Sequence, residues 1–198
     1  MRMRQASLER MTNETEIRLT LQLDGSGESR VQTGCGFLDH MLTLFSRHGR
    51  FDLAVDCHGD LQVDAHHTVE DVAILLGRAF DRALGERRGI SRYGSCALPM
   101  DEALVLAAVD ISGRPCLGYG LRIPTEKVGE FDTELVREFM LALCRNLGAA
   151  IHLQQMSGEN SHHIIEAAFK ALARALRQAV AIEPGFADQI PSTKGTIL

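Results

Sequence analysis

A repeated motif of two histidines and a glutamate contains the residues of this sequence best suited to chemistry. The motif His-His-x-x-Glu begins at His66 and again at His162, and its glutamates are Glu70 and Glu166. The first histidine and the glutamate are four residues apart, so they lie on one face of a helix. Imidazole and carboxylate together suit divalent ions such as Mn, Fe and Zn, and the carboxylate favours the harder ions.

The second histidine of each motif points in another direction. His67 and His163 project about 100° further around their helices, so one helix cannot easily place both of its histidines on one ion. Two such helices could serve two ions. A single copy of the motif is more often the start of a helix with no ligand role. The second copy at a matching position favours metal binding. The zincin pattern H-E-x-x-H and any C-x-x-C pair are absent, which disfavours a metalloprotease or a structural zinc site.

Two further residues are candidate ligands. His40 follows Gly36-Phe-Leu-Asp near the start of a predicted helix, and a histidine among apolar neighbours is more often a satisfied core residue. When the two halves of the chain are compared, Glu138 occupies the place of His40. From the residues alone, each of these two positions could hold either a metal ligand or a residue of the core.

Basic residues beside glycine, serine or threonine form a third feature. Arg92 lies in Ser-Arg-Tyr-Gly, Arg114 lies in Gly-Arg-Pro, and Lys194 lies in Pro-Ser-Thr-Lys-Gly. Arg, Lys, hydroxyls and free backbone N–H groups are the donors that a phosphate monoester needs. Each segment taken alone is equally typical of a solvated loop or tail. No Walker A loop and no G-x-G-x-x-G motif indicates a nucleotide site.

An internal repeat organises the elements that must position these residues. A shift of 96 residues superimposes the two His-His-x-x-Glu motifs, and the same shift pairs Arg78 with Arg174. We therefore predict one domain made of two similar α+β halves, in which helices pack on sheets. Alternation predicts strands at 15–23, 51–57, 104–111 and 149–155, and spacing of three and four predicts helices at 37–48, 67–85, 132–147 and 163–181.

Composition excludes several classes of protein. The 198 residues include 21 Lys and Arg against 26 Asp and Glu, a net charge of -5, which argues against nucleic acid or an anionic membrane as a partner. No apolar run approaches the roughly 18 residues that span a bilayer, and the first residues have no apolar signal region. Five cysteines without a paired spacing suit a reducing compartment, so we expect a cytoplasmic protein.

Six segments in order resemble one known family. GFLDHM, AHHTVEDVAILLG, PMDEAL, VDISGRP, ENSHHIIEAAFKALARAL and PSTKG are similar to motifs of monofunctional imidazoleglycerol-phosphate dehydratases, over about residues 8–196. The resemblance implies an α+β fold of duplicated half-domains, similar to domain 2 of ribosomal protein S5, with helices between two mixed four-stranded sheets. It implies a single dehydratase domain over 1–198, with repeats at about 8–90 and 91–190 and a substrate-contacting tail at 191–198.

The resemblance also implies two Mn(II) ions per subunit, held at the interfaces of a homo-oligomer of twenty-four subunits. Position 138 departs from some relatives, which have histidine there, although a glutamate can still ligate Mn(II). One ion would take His40, His67, His162 and Glu166, and the other would take His66, Glu70, His163 and Glu138.

The family's substrate is a phosphorylated imidazole, and its reaction belongs to histidine biosynthesis. The resemblance implies a hydro-lyase that converts D-erythro-imidazole-glycerol phosphate to imidazole-acetol phosphate. Our mechanistic hypothesis is elimination through a metal-bound imidazolate and a diazafulvene-like intermediate, with Glu14 as the acid–base group. Positions that match the family's substrate contacts are Glu14, Arg92, Arg114, Lys170, Ser192 and Lys194.

Three alternatives stay open. A non-catalytic metal-storage protein would also use His and Glu helices, although di-iron bundles use E-x-x-H. An RNA-binding module of S5-like fold would share the architecture, since a fold does not determine a function. A different metal-dependent lyase or hydrolase is the nearest enzymatic alternative.

Overall fold

The computed structural model describes residues 3–197. Ten strands and four helices make up this part of the chain. In chain order they are β1 (Gln5–Met11), β2 (Thr15–Gln22), β3 (Ser29–Gln32), α1 (Gly36–Gly49), β4 (Asp52–Gly59), α2 (His66–Leu84), β5 (Tyr93–Met100), β6 (Ala103–Asp110), β7 (Cys116–Gly120), β8 (Lys127–Val128), β9 (Phe131–Asp132), α3 (Leu135–Leu147), β10 (Ala150–Ser157) and α4 (Ser161–Val180).

Two four-stranded sheets share one topology. The first sheet has the order β1-β2-β4-β3 and the second has the order β5-β6-β10-β7. In both sheets the first three strands pair antiparallel and the last pairs parallel with its neighbour. Each half therefore runs strand-strand-strand-helix-strand-helix, and the second half adds the short hairpin β8-β9 before its first helix.

The four helices lie between the sheets. Helix α2 packs on β1 and β2 of the first sheet and against α3, whereas α4 packs on β5 and β6 of the second sheet and against α1. Every second residue of a strand points to the inner face of its sheet. On β2 these residues include Ile17, Leu19 and Leu21, which are all at most 2% exposed. Because each half packs its helices against helices of the other half, the two halves share one core.

The predicted class is confirmed: the chain is α+β, with four helices and two mixed four-stranded sheets. The predicted helix at 132–147 begins later, at Leu135, because residues 131–132 belong to the β8-β9 hairpin. No bounds were predicted for β1, β3, β5 and β7, in which Ala6 is the one fully buried residue.

No helix within residues 3–197 combines the length and apolar character needed to cross a membrane. The predicted domain and tail extend to residues 1, 2 and 198, which lie outside the described residues.

Candidate metal centre

Three predicted ligands converge where α1 meets the start of α4. Glu166 Oε2 lies 3.3 Å from His40 Nε2 and 3.1 Å from His162 Nε2. The three donor atoms lie within 4.8 Å of one another, which is compatible with one ion held between two imidazoles and a carboxylate. Glu166 is buried, while the two histidines are more exposed to solvent. The cluster is therefore accessible to solvent on the side of the histidines.

The charge on Glu166 suits a ligand. Burial alone would raise the pKa of this carboxyl group, but Lys170 Nζ, His162 and His40 outweigh burial and lower the pKa below its usual value. Lys170 lies one turn further along α4 and pairs with Oε1, so Oε2 is the oxygen that faces the imidazoles. The cluster is therefore preorganised to receive a cation in place of a proton.

A second arrangement surrounds His67, the second residue of α2. Its Nδ1 lies 3.1 and 3.0 Å from the two carboxylate oxygens of Asp60, and its Nε2 lies 3.7 Å from Glu14 Oε1. An ionised carboxylate only accepts hydrogen bonds, so Nδ1 donates to Asp60, and Nε2 is the nitrogen that faces Glu14. The hydrogen bond to Asp60 is the main cause of the raised pKa of His67.

His163, the corresponding residue of α4, has the same kind of environment. Its Nδ1 donates to Glu102 Oε2 at 2.7 Å, and its Nε2 lies 3.6 Å from Asp101 Oδ2. The hydrogen bond from His163, followed by the Asn160 backbone N–H, lowers the pKa of Glu102 to about 2. The same bond to Glu102 raises the pKa of His163.

These two arrangements use corresponding loops of the two halves. Glu14 lies in the β1-β2 hairpin loop, and Asp101 and Glu102 form the β5-β6 loop. Each hairpin therefore brings a carboxylate to within 4 Å of the Nε2 atom of a helix-start histidine. In the two halves Nδ1 makes the hydrogen bond, and Nε2 is the nitrogen that commonly ligates a metal ion in a histidine whose Nδ1 is hydrogen-bonded.

A buried contact ties the Glu14 hairpin to α2. Thr15 Oγ1 donates to Asp71 Oδ2 at 2.6 Å, and Arg10 Nη2 lies 2.8 Å from Asp71 Oδ1. Thr12 Oγ1 accepts the backbone N–H groups of Glu14 and Thr15, at 3.1 and 2.9 Å. The backbone of Glu14 is thus held, while its side chain remains 53% exposed and free to reach a ligand.

The remaining predicted ligands do not join a cluster within the described residues. His66 and Glu70 are half-buried on α2, and Glu138 on α3 has Arg137 Nη1 at 3.4 Å. His67 likewise lies outside the group formed by His40, His162 and Glu166. Neither four-ligand set is complete within the described residues of one chain, so both sets remain predictions.

The predicted phosphate contacts lie in three places. Arg92 pairs with Asp110 through Nε and Nη2, at 2.7 and 3.2 Å, and its Nη1 donates to the Pro191 carbonyl at 3.0 Å. Ser192 follows Pro191 directly and Lys194 lies two residues further along, so Arg92 lies beside the start of the C-terminal segment that contains them. Arg114 is exposed after β6, whereas Lys170 is paired with Glu166 at the metal cluster.

Four acidic residues were assigned no role from the sequence: Asp60, Asp71, Asp101 and Glu102. Asp101 and Glu102 lie in the PMDEAL segment, which was noted only as a family motif. Asp60 and Asp71 carried no local signal, because their partners are His67, Thr15 and Arg10, which only the folded chain brings close.

Comparisons with known proteins agree with one another. The family model for imidazoleglycerol-phosphate dehydratase matches residues 33–176. The imidazoleglycerol-phosphate dehydratase of Azorhizobium caulinodans is 56% identical over 195 residues, covering 98% of this chain and 99% of the relative. That of Geobacter metallireducens is 54% identical over 194 residues, with 98% and 99% covered.

Solved structures show the same similarity. The imidazoleglycerol-phosphate dehydratase of Staphylococcus aureus N315 has a TM-score of 0.83 at 38% identity, covering 90% of this chain and 99% of that chain. The enzyme of Pyrococcus furiosus, solved in complex with (S)-C348, has a TM-score of 0.82 at 39% identity, covering 96% and 99%.

The fold and the convergent donors define an α+β protein with a candidate divalent-metal centre between its helices. With the sequence matches, the class is a hydro-lyase of amino-acid biosynthesis. The chain belongs to the imidazoleglycerol-phosphate dehydratase family, and the dehydration it carries out is a step of histidine biosynthesis.

Proposed function

We propose that this chain catalyses the Mn(II)-dependent dehydration of D-erythro-imidazole-glycerol phosphate to imidazole-acetol phosphate. The observation that carries the proposal is the convergence of His40, His162 and Glu166 on one point. Those three residues belong to one of the two ligand sets that the resemblance implies. Family membership supports the reaction class, and the donor cluster supports its dependence on a metal.

The donors fit a divalent ion such as Mn(II). Two imidazole nitrogens and a deprotonated carboxylate are a borderline-to-hard ligand set, and the lowered pKa of Glu166 keeps its carboxylate charged. We propose that His67 of a neighbouring subunit completes this set and that His66, Glu70, His163 and Glu138 hold a second ion. When bound, the two ions supply Lewis-acid polarisation of the substrate's imidazole ring and a template for its orientation.

Glu14 has the position of a proton-transfer group. Its carboxylate is more than half exposed, has no role as a ligand and lies beside the Nε2 atom of His67. A substrate that enters beside His67 therefore meets a carboxylate able to take the proton from the second side-chain carbon, while the hydroxyl group leaves from the carbon next to the ring. Asp60 holds His67 on its other side, so Glu14 faces an imidazole of defined orientation.

The phosphate group requires cationic residues at a distance from the metal ligands. We propose that Arg92, Arg114, Ser192 and Lys194 bind this group, together with Lys170 at the edge of the metal cluster. Contact between Arg92 and the Pro191 carbonyl supports a shared role for Arg92 and the C-terminal segment.

The oligomeric state and the cellular location of the protein are further proposals. We propose a homo-oligomer, because neither ligand set is complete within one described chain. The family resemblance supplies the number of twenty-four subunits, and five free cysteines support a cytoplasmic location. We also propose that the two halves arose by duplication, which the equivalent strand orders of their two sheets support.

Metal removal tests the proposal. Treatment with a chelator should abolish turnover of imidazoleglycerol phosphate, and added Mn(II) should restore it. Dialysis without chelator serves as the control. Full activity of metal-free protein would contradict the proposed role of the metal, and no dehydration by the metal-loaded protein would contradict the assigned reaction.

A further inference from the structure

Asp71 on α2 binds both strands of the hairpin that carries Glu14. Its Oδ1 lies 2.8 Å from Arg10 Nη2 on β1, and its Oδ2 accepts the Thr15 hydroxyl on β2 at 2.6 Å. Arg10 and Thr15 lie on either side of the loop that contains Glu14. We call these two contacts the Asp71 clamp. One carboxylate therefore joins both ends of this loop to a single helix.

The Asp71 clamp lies one helical turn beyond His67. Asp71 follows His67 by four residues on α2, so the two side chains lie on one face of the helix. That face presents an imidazole whose Nε2 lies 3.7 Å from Glu14 Oε1, and it also presents the carboxylate that anchors the Glu14 loop. The separation of Glu14 from His67 therefore depends on where the hairpin is seated on α2, which the clamp determines.

The Asp71 clamp is buried, whereas the carboxylate of Glu14 is exposed. Asp71 and Thr15 are 5% and 3% exposed, and Arg10 Nε is buried without a hydrogen-bond partner among residues 3–197. A buried charge that loses its partner is strongly disfavoured, so the hairpin cannot shift along α2 without breaking an ion pair. The exposed side chain of Glu14 is thus attached to a firmly held backbone.

The repeated fold does not require a carboxylate at this place. The shift of 96 residues pairs Asp71 with Ala167, which is fully buried on α4. In that half, Glu102 holds the β5-β6 loop at the start of α4, because it accepts the backbone N–H groups of Glu159 and Asn160. The half that contains the proposed acid–base group therefore has a buried carboxylate that the shared architecture does not explain.

We propose that Asp71 is a positioning residue for proton transfer, because its clamp holds the carboxylate of Glu14 beside His67. This inference rests on the proposed acid–base role of Glu14. Proton transfer requires the exchanging groups to lie within hydrogen-bond reach, and a displacement of about 1 Å can cost about 100-fold in rate. Asp71 faces Arg10 and Thr15, so it acts through the hairpin and does not touch the substrate.

Two single variants of the metal-loaded protein test the Asp71 clamp. Thr15→Val removes the hydroxyl donor while its size is kept, and Asp71→Asn removes the charge that holds Arg10. Each should lower kcat for imidazoleglycerol phosphate by about 10- to 100-fold and leave KM within about twofold of the wild-type value. Thr15→Ser keeps the hydroxyl and should retain kcat within about twofold. Thr20→Val, which removes an exposed hydroxyl of β2 that contacts Ser7, is the matched control.

A double-mutant cycle with Glu14→Gln separates positioning from a general structural effect. If the clamp acts through Glu14, Thr15→Val should lower the residual kcat of the Glu14→Gln protein by no more than about twofold. An undiminished loss in that background would contradict the proposal. So would loss of Mn(II) from Asp71→Asn, because the neighbouring Glu70 would then be the residue affected.

Hydrogen exchange of the loop at 11–14 provides a measurement that does not depend on the reaction. This loop should exchange faster in Thr15→Val and Asp71→Asn than in the wild type, and unchanged exchange would exclude the clamp. Normal kcat of both variants beside a slow Glu14→Gln would overturn the positioning role and leave the acid–base role of Glu14 intact. A nearly normal kcat of Glu14→Gln would overturn that acid–base role, and the positioning role with it.

Discussion

At the scale of single residues, carboxylates on hairpins and loops determine which nitrogen each helix-start histidine presents. Asp60 faces Nδ1 of His67 and Glu102 faces Nδ1 of His163, at distances of 2.7 to 3.1 Å. A histidine oriented in this way needs less reorganisation when it binds an ion through Nε2. These carboxylates are therefore positioning residues, and Glu14 is the carboxylate on the opposite, reactive side of His67.

Replacement of Asp60 tests the positioning role. Asp60→Asn should weaken Mn(II) binding by about 10- to 100-fold, because the amide no longer stabilises the required tautomer as strongly. Competition with a chelator of known affinity measures the change. Asp56→Asn, an exposed change in β4, is the control and should bind Mn(II) normally. Normal Mn(II) affinity of Asp60→Asn would contradict the positioning role, and a drop in its metal-free unfolding midpoint would indicate a structural effect instead.

Replacement of Glu14 tests proton transfer. Glu14→Gln should lower kcat by about 10²- to 10⁴-fold with little change in KM, because the amide cannot exchange a proton while its size is kept. Stopped assays over a range of substrate concentrations separate the two constants. Glu16→Gln, two residues further along the chain and paired only with Arg18, is the matched control. A nearly normal kcat of Glu14→Gln would remove this residue from the mechanism.

At the scale of elements, short contacts at the ends of strands and helices hold the site together. Asn160 caps the start of helix α4, because its side chain accepts the backbone N–H of His163. Glu102 accepts the N–H groups of Glu159 and Asn160. The β5-β6 loop therefore fixes the start of α4 as well as the imidazole of His163. At the other end of the fold, Asp52 at the start of β4 organises the turn at 26–28 through three N–H donors.

The Asp52 turn predicts a pH dependence of stability. Burial raises the pKa of Asp52, but the backbone N–H donors outweigh burial and lower it below its usual value. A lowered folded-state pKa adds stability above the unfolded pKa of about 3.9, and that stability is lost as the pH falls through the folded-state pKa. Asp52→Asn should therefore lower the free energy of unfolding at pH 7 by about 1 kcal/mol.

Denaturant titration at several pH values measures this difference. The gap between wild type and Asp52→Asn should narrow below about pH 4, because the wild-type carboxyl group then takes up its proton. Asp56→Asn removes the same charge from an exposed position of β4 and should show no comparable gap. A gap that is independent of pH would show that the charge of Asp52 does not stabilise the turn.

At the scale of the whole molecule, the two halves are joined by crossed helix pairs, and the ligands are distributed over both halves. His40 comes from the first half, while His162 and Glu166 come from the second. His66 and Glu70 have no ligand cluster within the described chain, so their proposed role depends on another subunit. Assembly and metal content should therefore be linked.

Replacement of His66 tests this link. His66→Ala should lower the metal content from the proposed two ions per chain toward one, because it removes a ligand of the second set alone. Metal analysis of the purified protein, together with sedimentation, measures content and native mass. His58→Ala, at an exposed strand position beside Asp56, is the matched control. Retention of two ions by the His66 variant would contradict its assignment as a ligand.

Sequence patterns were sufficient for the long helices and the inner strands, because burial imposes periods of 3.6 and 2 residues on them. They were also sufficient for the His-His-x-x-Glu motifs, whose spacing is local to one helix. The structure was needed for β3 and β7, which pair with β4 and β10 across an intervening helix. It was needed equally for the Asp60–His67 contact, which depends on the conformation of the loop before α2. The Glu102–His163 contact and the convergence of His40 on Glu166 join residues far apart in the chain. Local periodicity is set by the backbone, whereas contacts between distant residues exist only once the two sheets and their helices have packed.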